Sequence, residues 1–120
     1  MLKVLAVDDS RTMRDLITAA LVDAGMEVST AEDGIDGLSK LEGAVPDVII
    51  SDINMPNLDG FGFIEAVRGG TSAANVPILV LSTESSTEFK MRAKSLGATG
   101  WIVKPFEPEK LASAIRKVTG

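Results

Sequence analysis

The chain contains no cysteine and no histidine among its 120 residues. The first absence excludes a disulfide framework and any thiolate metal centre. It is compatible with a reducing compartment. The second removes Ser-His-Asp and Cys-His catalysis and, with them, the commonest metal ligand. A bound metal must therefore be held by oxygen, which favours Mg²⁺, Ca²⁺ or Mn²⁺. Positive charge is also short: the formal net charge is −5. A nucleic-acid binder normally shows a basic face, so no nucleic-acid partner is expected. Long apolar runs are missing too. The opening "MLKVLAVDDS" is apolar for a few residues and then acidic, unlike a signal peptide or a membrane span. A cytoplasmic protein with no membrane insertion is expected. No linker or low-complexity segment divides the chain, so a single domain over 1–120 with no output domain is expected, and nothing suggests an oligomer. With 45% hydrophobic residues, it can bury a core without staples.

What is present is an alternation. Short runs rich in Val, Ile and Leu occur at Lys3–Val7, Glu27–Ala31, Val48–Ser51, Ile78–Leu81 and Gly100–Val103. Most lack the polar alternation of a half-exposed strand, which is how strands covered on both faces read. Helical stripes lie between them. Met13, Leu16, Ile17, Ala20, Leu21 and Ala24 share one face, with Gly25 as the stop. Ile35, Leu38 and Leu41 form a second stripe. Phe63, Ile64 and Val67 form a third, stopped by Gly69 and Gly70. Phe89, Ala93 and Leu96 form a fourth, ended by Gly97. Leu111, Ala114, Ile115 and Val118 form a fifth, with Pro108 in its first turn. Five β/α units imply an α/β fold, a five-stranded parallel sheet with helices on both faces. In such sheets, functional residues gather beyond the carboxyl ends of the strands.

Those ends carry chemistry. The first strand runs into Asp8 and Asp9, the third into Asp52, the fourth into Ser82 and Thr83, and the fifth into Lys104 and Pro105. Taken singly, each also fits an ordinary role: Asp8, Asp9 or Ser10 as a helix cap, Asp52 as a turn residue, Ser82 as a cap and Lys104 as a solvated lysine. Taken together they are complementary. Three close carboxylates repel one another and favour a cation between them. Mg²⁺ uses one or two carboxylates and engages a phosphate. A lysine and a hydroxyl beside it suit the remaining phosphoryl oxygens. An aspartate can itself be the nucleophile and form an acyl phosphate, and Asp52 is the central one.

"VDDS" at 7–10, "DINMPNLDG" at 52–60, "LSTES" at 81–85 and "GATGWIVKPF" at 97–106, with the five β/α units between them, resemble the receiver domain of bacterial two-component response regulators, in particular its single-domain chemotaxis members. The resemblance spans essentially the whole chain. It implies a flavodoxin-like (β/α)5 fold with strand order 2-1-3-4-5. It implies that Asp52 is the phospho-acceptor, and that Mg²⁺ (Mn²⁺ as a substitute) is held by Asp9, Asp52, the Asn54 carbonyl and, through water, Asp8. Lys104 would pair with a phosphoryl oxygen and Ser82 would hydrogen-bond another. Trp101 takes the place of the switch aromatic, and the Lys104–Pro105 bond would be cis. Asn54, Glu84 and Thr83 would set the lifetime of the phosphoryl group. Three residues depart from the commonest pattern: Ser82 in place of threonine, Trp101 in place of tyrosine or phenylalanine, and Thr83 in place of alanine or glycine.

The implied partners are a histidine kinase of the chemotaxis type, an effector such as the flagellar motor switch, and a phosphatase. The effector face would comprise Ser85–Leu96, Gly100–Val103 and Glu107–Thr119. The chain would catalyse its own phosphoryl transfer and autodephosphorylation without being a conventional enzyme. Alternative readings are a phosphorelay intermediate or phosphate sink, a flavodoxin-like FMN carrier, and a phosphatase with an aspartyl nucleophile. The acids of "VDDSRT" disfavour the FMN carrier. Asp52-Ile53-Asn54, standing where the phosphatase needs D-x-D, disfavours the last.

Overall fold

The computed structural model describes residues 1–120, and the apolar runs and stripes become ten elements in it. In chain order these are β1 (Lys3–Val7), α1 (Arg11–Asp23), β2 (Glu27–Ala31), α2 (Gly34–Gly43), β3 (Val48–Ser51), α3 (Gly60–Gly70), β4 (Ile78–Ser82), α4 (Thr87–Leu96), β5 (Gly100–Val103) and α5 (Pro108–Thr119). All strand pairs are parallel, in the order β2-β1-β3-β4-β5. No helix is long and apolar enough to cross a membrane.

Successive strand residues point to opposite faces, so each apolar run feeds two cores. Leu5, Val7, Ile49, Ile78 and Val80 join Phe63, Ile64 and Val67 of α3 on one face. Val4, Ala6, Val48, Ile50, Leu79 and Leu81 join Ile17 and Leu21 of α1 and Leu111 and Ile115 of α5 on the other. Each of the fully buried isoleucines contributes on the order of 2 kcal/mol. The middle strands are thereby fixed, and so is the direction in which each strand end points.

The helix starts follow the chemistry of their first residues. Ser10, Asp33, Asp59 and Ser86 each accept a backbone N–H in the first turn of α1, α2, α3 and α4. Pro108 opens α5. Gly25 (φ 84°) follows α1 and Gly97 (φ 111°) caps α4, both in the left-handed region.

Several expectations need correction. β4 extends one residue further than the apolar run, so Ser82 is its last residue and is fully buried. α3 does stop at the glycine pair, its last residue being Gly70, but neither glycine turns left-handed and Thr71 follows as an extended cap. Leu16 and Ile35 lie on the predicted stripes but are 52% and 56% exposed. Each sits at the border of its stripe, and only Ile17 and Leu21 of α1 reach full burial. β2 is an outer strand that alternates exposed and half-buried residues. The Lys40 Nζ donates to its Thr30 carbonyl at 2.9 Å.

Candidate functional site

Parallel strands place all their carboxyl ends on one edge. Val7 of β1 is paired with Ser51 of β3, so the residues that follow, Asp8 and Asp52, leave the sheet side by side. One carboxylate oxygen from each of Asp8, Asp9 and Asp52 lies within 4.8 Å of the others. The Lys104 Nζ sits between two of them, 2.7 Å from Asp8 Oδ2 and 2.8 Å from Asp52 Oδ2. Lys104 follows β5, and its backbone N–H donates to Ser82 O at 2.8 Å, which anchors it to the end of β4. The Lys104–Pro105 peptide is cis.

The three acids are not equivalent. Asp8 is buried and fully engaged: Oδ1 accepts the Ser10 N–H, Oδ2 accepts Lys104, and the carbonyl accepts Arg14 Nη1 at 2.8 Å. Asp52 is also buried, with Oδ1 taken by the Ile53 N–H at 2.6 Å and Oδ2 by Lys104. Asp9 is exposed and enters none of these bonds. Burial pushes the Asp8 carboxyl up from its ordinary range, against the pull of Lys104. Burial also opposes the charge on Lys104, but its bonds to Asp52 and Asp8 outweigh that, and the pKa rises. The ammonium therefore stays charged at neutral pH. Two buried carboxylates share one cation, which leaves the cluster as a whole negative.

Ser82, Glu84 and Trp101 form an adjoining chain. Ser82 Oγ accepts the Glu84 N–H at 3.3 Å, and Trp101 Nε1 donates to the Glu84 carbonyl at 2.9 Å. The half-buried indole packs against the core beneath α3 and α4. Asn54 and Thr83 are exposed beside Asp52 and Ser82 in sequence. The structure thus joins Asp8, Asp52 and Lys104 directly and sets a carboxylate oxygen of Asp9 within 4.8 Å of the other two acids. Ser82 joins them through the Lys104 backbone, and Trp101 through Glu84 and Ser82.

Sequence reasoning missed four supporting residues. Arg14 holds the Asp8 carbonyl. Arg68 donates to the carbonyls of Gly97, Ala74 and Val76, tying the end of α3 to the end of α4. Asp33 and Asn57 bond to each other at 2.7 Å across the loops that precede α2 and α3. Only Asp33 carried a legible signal, an acid before glycine at the head of a helical stripe.

The class follows from sheet order and chain pattern together: the chain belongs to the response regulator receiver domain family, whose profile matches residues 4–116. Among relatives, a probable chemotaxis protein CheY of Rhizobium etli is 37% identical over 120 residues, covering 99% of this chain and 93% of its own. Protein PilG of Pseudomonas aeruginosa is 34% identical over 115 residues, covering 96% of this chain and 85% of its own. In three dimensions the chain is similar to the chemotaxis protein CheY4 of Vibrio cholerae, with a TM-score of 0.93, 52% identity and 98% of both chains covered. It is a CheY-like receiver, and the expected fold and strand order stand. Receiver domains in general bind Mg²⁺. The donors here are oxygens only, clustered and net negative, with one acid left exposed, which suits a hard cation.

Proposed function

We propose that the chain is a phosphorylation-activated response regulator that accepts a phosphoryl group from a histidine kinase on Asp52. The observation that carries this reading is the single ammonium of Lys104 held within hydrogen-bonding distance of both Asp8 and Asp52, beside an exposed third acid. Asp9, Asp52 and the Asn54 carbonyl would hold Mg²⁺, with Asp8 acting through water. Asp8 suits that indirect role because Ser10, Lys104 and Arg14 already engage it. Bound there, the cation supplies charge neutralisation to the phosphoryl oxygens.

The chain's own part is positioning and electrostatics. An oxygen of Asp52 bonds to phosphorus while the bond from phosphorus to the donor's imidazole nitrogen breaks. The electron pair leaves with that nitrogen, which takes up a proton. Lys104, already at Asp52 Oδ2, pairs with a phosphoryl oxygen. The Ser82 hydroxyl, which accepts the Glu84 N–H at 3.3 Å, turns to donate its proton to another phosphoryl oxygen. That reorientation pulls on the Ser82–Glu84–Trp101 chain and biases α4, β5 and α5. Couplings of about 1–3 kcal/mol are typical of such switches. Asn54, Glu84 and Thr83 border the path of the hydrolysing water and set the lifetime.

The effector face is Ser85–Leu96, Gly100–Val103 and Glu107–Thr119, where Met91 and Val103 are 64% and 40% exposed. The Rhizobium and Vibrio relatives bear the names of chemotaxis proteins. They support a chemotaxis-type kinase as donor and the flagellar motor switch as effector, with the chain acting in the cytoplasm as one monomeric receiver unit. The test is incubation with Mg²⁺ and acetyl phosphate, followed by mass spectrometry. A phosphoryl adduct lost in Asp52→Asn is expected, and an adduct retained by that variant refutes the assignment. Because Thr83 narrows access to Asp52, a phosphorylated histidine kinase serves as the second donor.

A further inference from the structure

Residues 31–34, between the end of β2 and the first turn of α2, touch the supports of both halves of the acidic cluster. On one side, Ala31 O accepts the backbone N–H of Asp8 at 3.0 Å. On the other, Asp33 Oδ2 accepts the side-chain amide of Asn57 at 2.7 Å, and Leu58 O accepts the Gly34 N–H at 3.1 Å. Asn57 and Leu58 belong to the loop 53–59, which follows Asp52 directly and contains Asn54.

That loop has little of its own to define it. It forms no helix or strand. Leu58 N to Pro56 O is its internal backbone bond, and Gly60 N to Ile53 O closes its base. Asn57 holds φ 68°, in the left-handed region that asparagine adopts more readily than other residues with a side chain. The amide bond to Asp33 ties that turn to the start of α2. Asp33 is itself well fixed: it is 6% exposed, and its second oxygen accepts the Asp36 N–H at 2.8 Å. Close approach is enforced next door. A Cβ on Gly34 would lie 2.7 Å from Leu58 O and 2.8 Å from Leu58 Cγ, so the first turn of α2 rests backbone against loop.

We propose that Asp33 is a positioning residue for the cation site. Through Asn57 it fixes the loop 53–59, and with it the spacing of Asp52 and Asn54 from Asp8 and Asp9. The inference rests on the Mg²⁺ reading given above. Partners one step beyond a metal's ligands change affinity about ten- to a hundredfold when removed. Asp33 acts a step further out, so a loss of about three- to tenfold is expected.

Mg²⁺ is titrated calorimetrically into the wild type, Asp33→Asn, Asn57→Gly and the double variant Asp33→Asn/Asn57→Asp, each shown to be folded by circular dichroism. Asn57→Gly keeps the left-handed backbone accessible, removes the amide and changes no charge, so its effect is not an electrostatic one. Both single variants should bind about three- to tenfold more weakly. The double variant, in which amide and carboxylate exchange places, should recover most of the loss. Single variants that bind as the wild type does, or a double variant as weak as the singles, overturn the proposal. A role in folding alone lowers the unfolding midpoint and leaves the Mg²⁺ affinity of folded protein unmoved. If Asp33→Asn does not fold, Asn57→Gly decides the matter. A wild type that takes up no Mg²⁺ brings down the cation reading and this inference together. A wild type that binds, with unchanged variants, brings down this inference alone.

Discussion

Replacing Lys104 with methionine, which keeps length and apolar stem but removes the charge, isolates the electrostatics of the cluster. In the wild type the ammonium contacts Asp8 at 2.7 Å and Asp52 at 2.8 Å, and the side chains of Lys104, Asp8 and Asp52 are 9%, 2% and 10% exposed. Removing one partner of a buried ion pair typically costs about 3–5 kcal/mol, because the other charge is left uncompensated. Asp8 keeps the Ser10 N–H, Asp52 keeps the Ile53 N–H, and Asp9 stays in water, so the cost falls around or somewhat below the lower end of that range, roughly 2–4 kcal/mol. For a domain of this size, that lowers the unfolding midpoint by on the order of 6–20 °C. The loss should depend on pH with a defined sign. Burial already holds the Asp8 carboxyl above its ordinary value of 3.8, and Lys104 restrains that rise. Without Lys104 the folded-state pKa climbs further. A carboxyl whose pKa is raised by folding costs nothing below its unfolded value and destabilises increasingly as pH rises past it. The deficit of Lys104→Met is therefore largest near neutral pH and shrinks on acidification as the Asp8 carboxyl takes up its proton. Urea unfolding followed by circular dichroism across this range, without divalent cations, measures it. Equal stability near pH 7, or a deficit that does not shrink on acidification, refutes the reasoning.

Trp101→Phe keeps an aromatic ring but loses the bond to Glu84 O, and should cost about 1 kcal/mol in urea unfolding. Faster hydrogen exchange is expected across residues 82–86, and unchanged exchange there would show that the indole does not hold this loop. Arg68→Met strips donors from the Gly97, Ala74 and Val76 carbonyls and should cost about 2–3 kcal/mol, with Arg68→Lys recovering only part because an ammonium lacks the planar fork. Leu16→Ser should change stability by no more than about 0.5 kcal/mol, since the side chain is half exposed, and a larger loss would return Leu16 to the core.

The fold was legible because its signals are local and repeated. Uninterrupted apolar runs mark β1, β3 and β4, and left-handed glycines mark the ends of α1 and α4. Gly69 and Gly70 mark the end of α3 without turning left-handed, a difference from Gly25 and Gly97 that residue type alone does not reveal. The acids and the lysine were legible because a strand end is a predictable address. Strand order was not: hydrophobic period says that β1 and β3 are buried, not that they are neighbours, and the resemblance supplied the order. Arg14, Arg68 and the Asp33–Asn57 pair stayed hidden for the same reason. Their partners are backbone carbonyls or residues distant in sequence, such as Asp33 and Asn57, which are 24 positions apart. No periodicity encodes such a contact.

The outer strand β2 has a consequence for how copies of this chain meet one another. Glu27 N bonds to Leu2 O and Asp8 N bonds to Ala31 O, so the odd-numbered residues of β2 are spent on β1. In a parallel ladder the intervening residues, Val28 and Thr30, then turn their backbone groups away from the sheet. Such a row is a template on which another strand can add. The Lys40 ammonium occupies the Thr30 carbonyl and leaves a positive charge at the middle of that row. A strand approaching edge to edge must displace it and desolvate it, a cost that sheet edges commonly use against aggregation. The lysine that ties α2 to the sheet thus also guards this edge of it against a further strand.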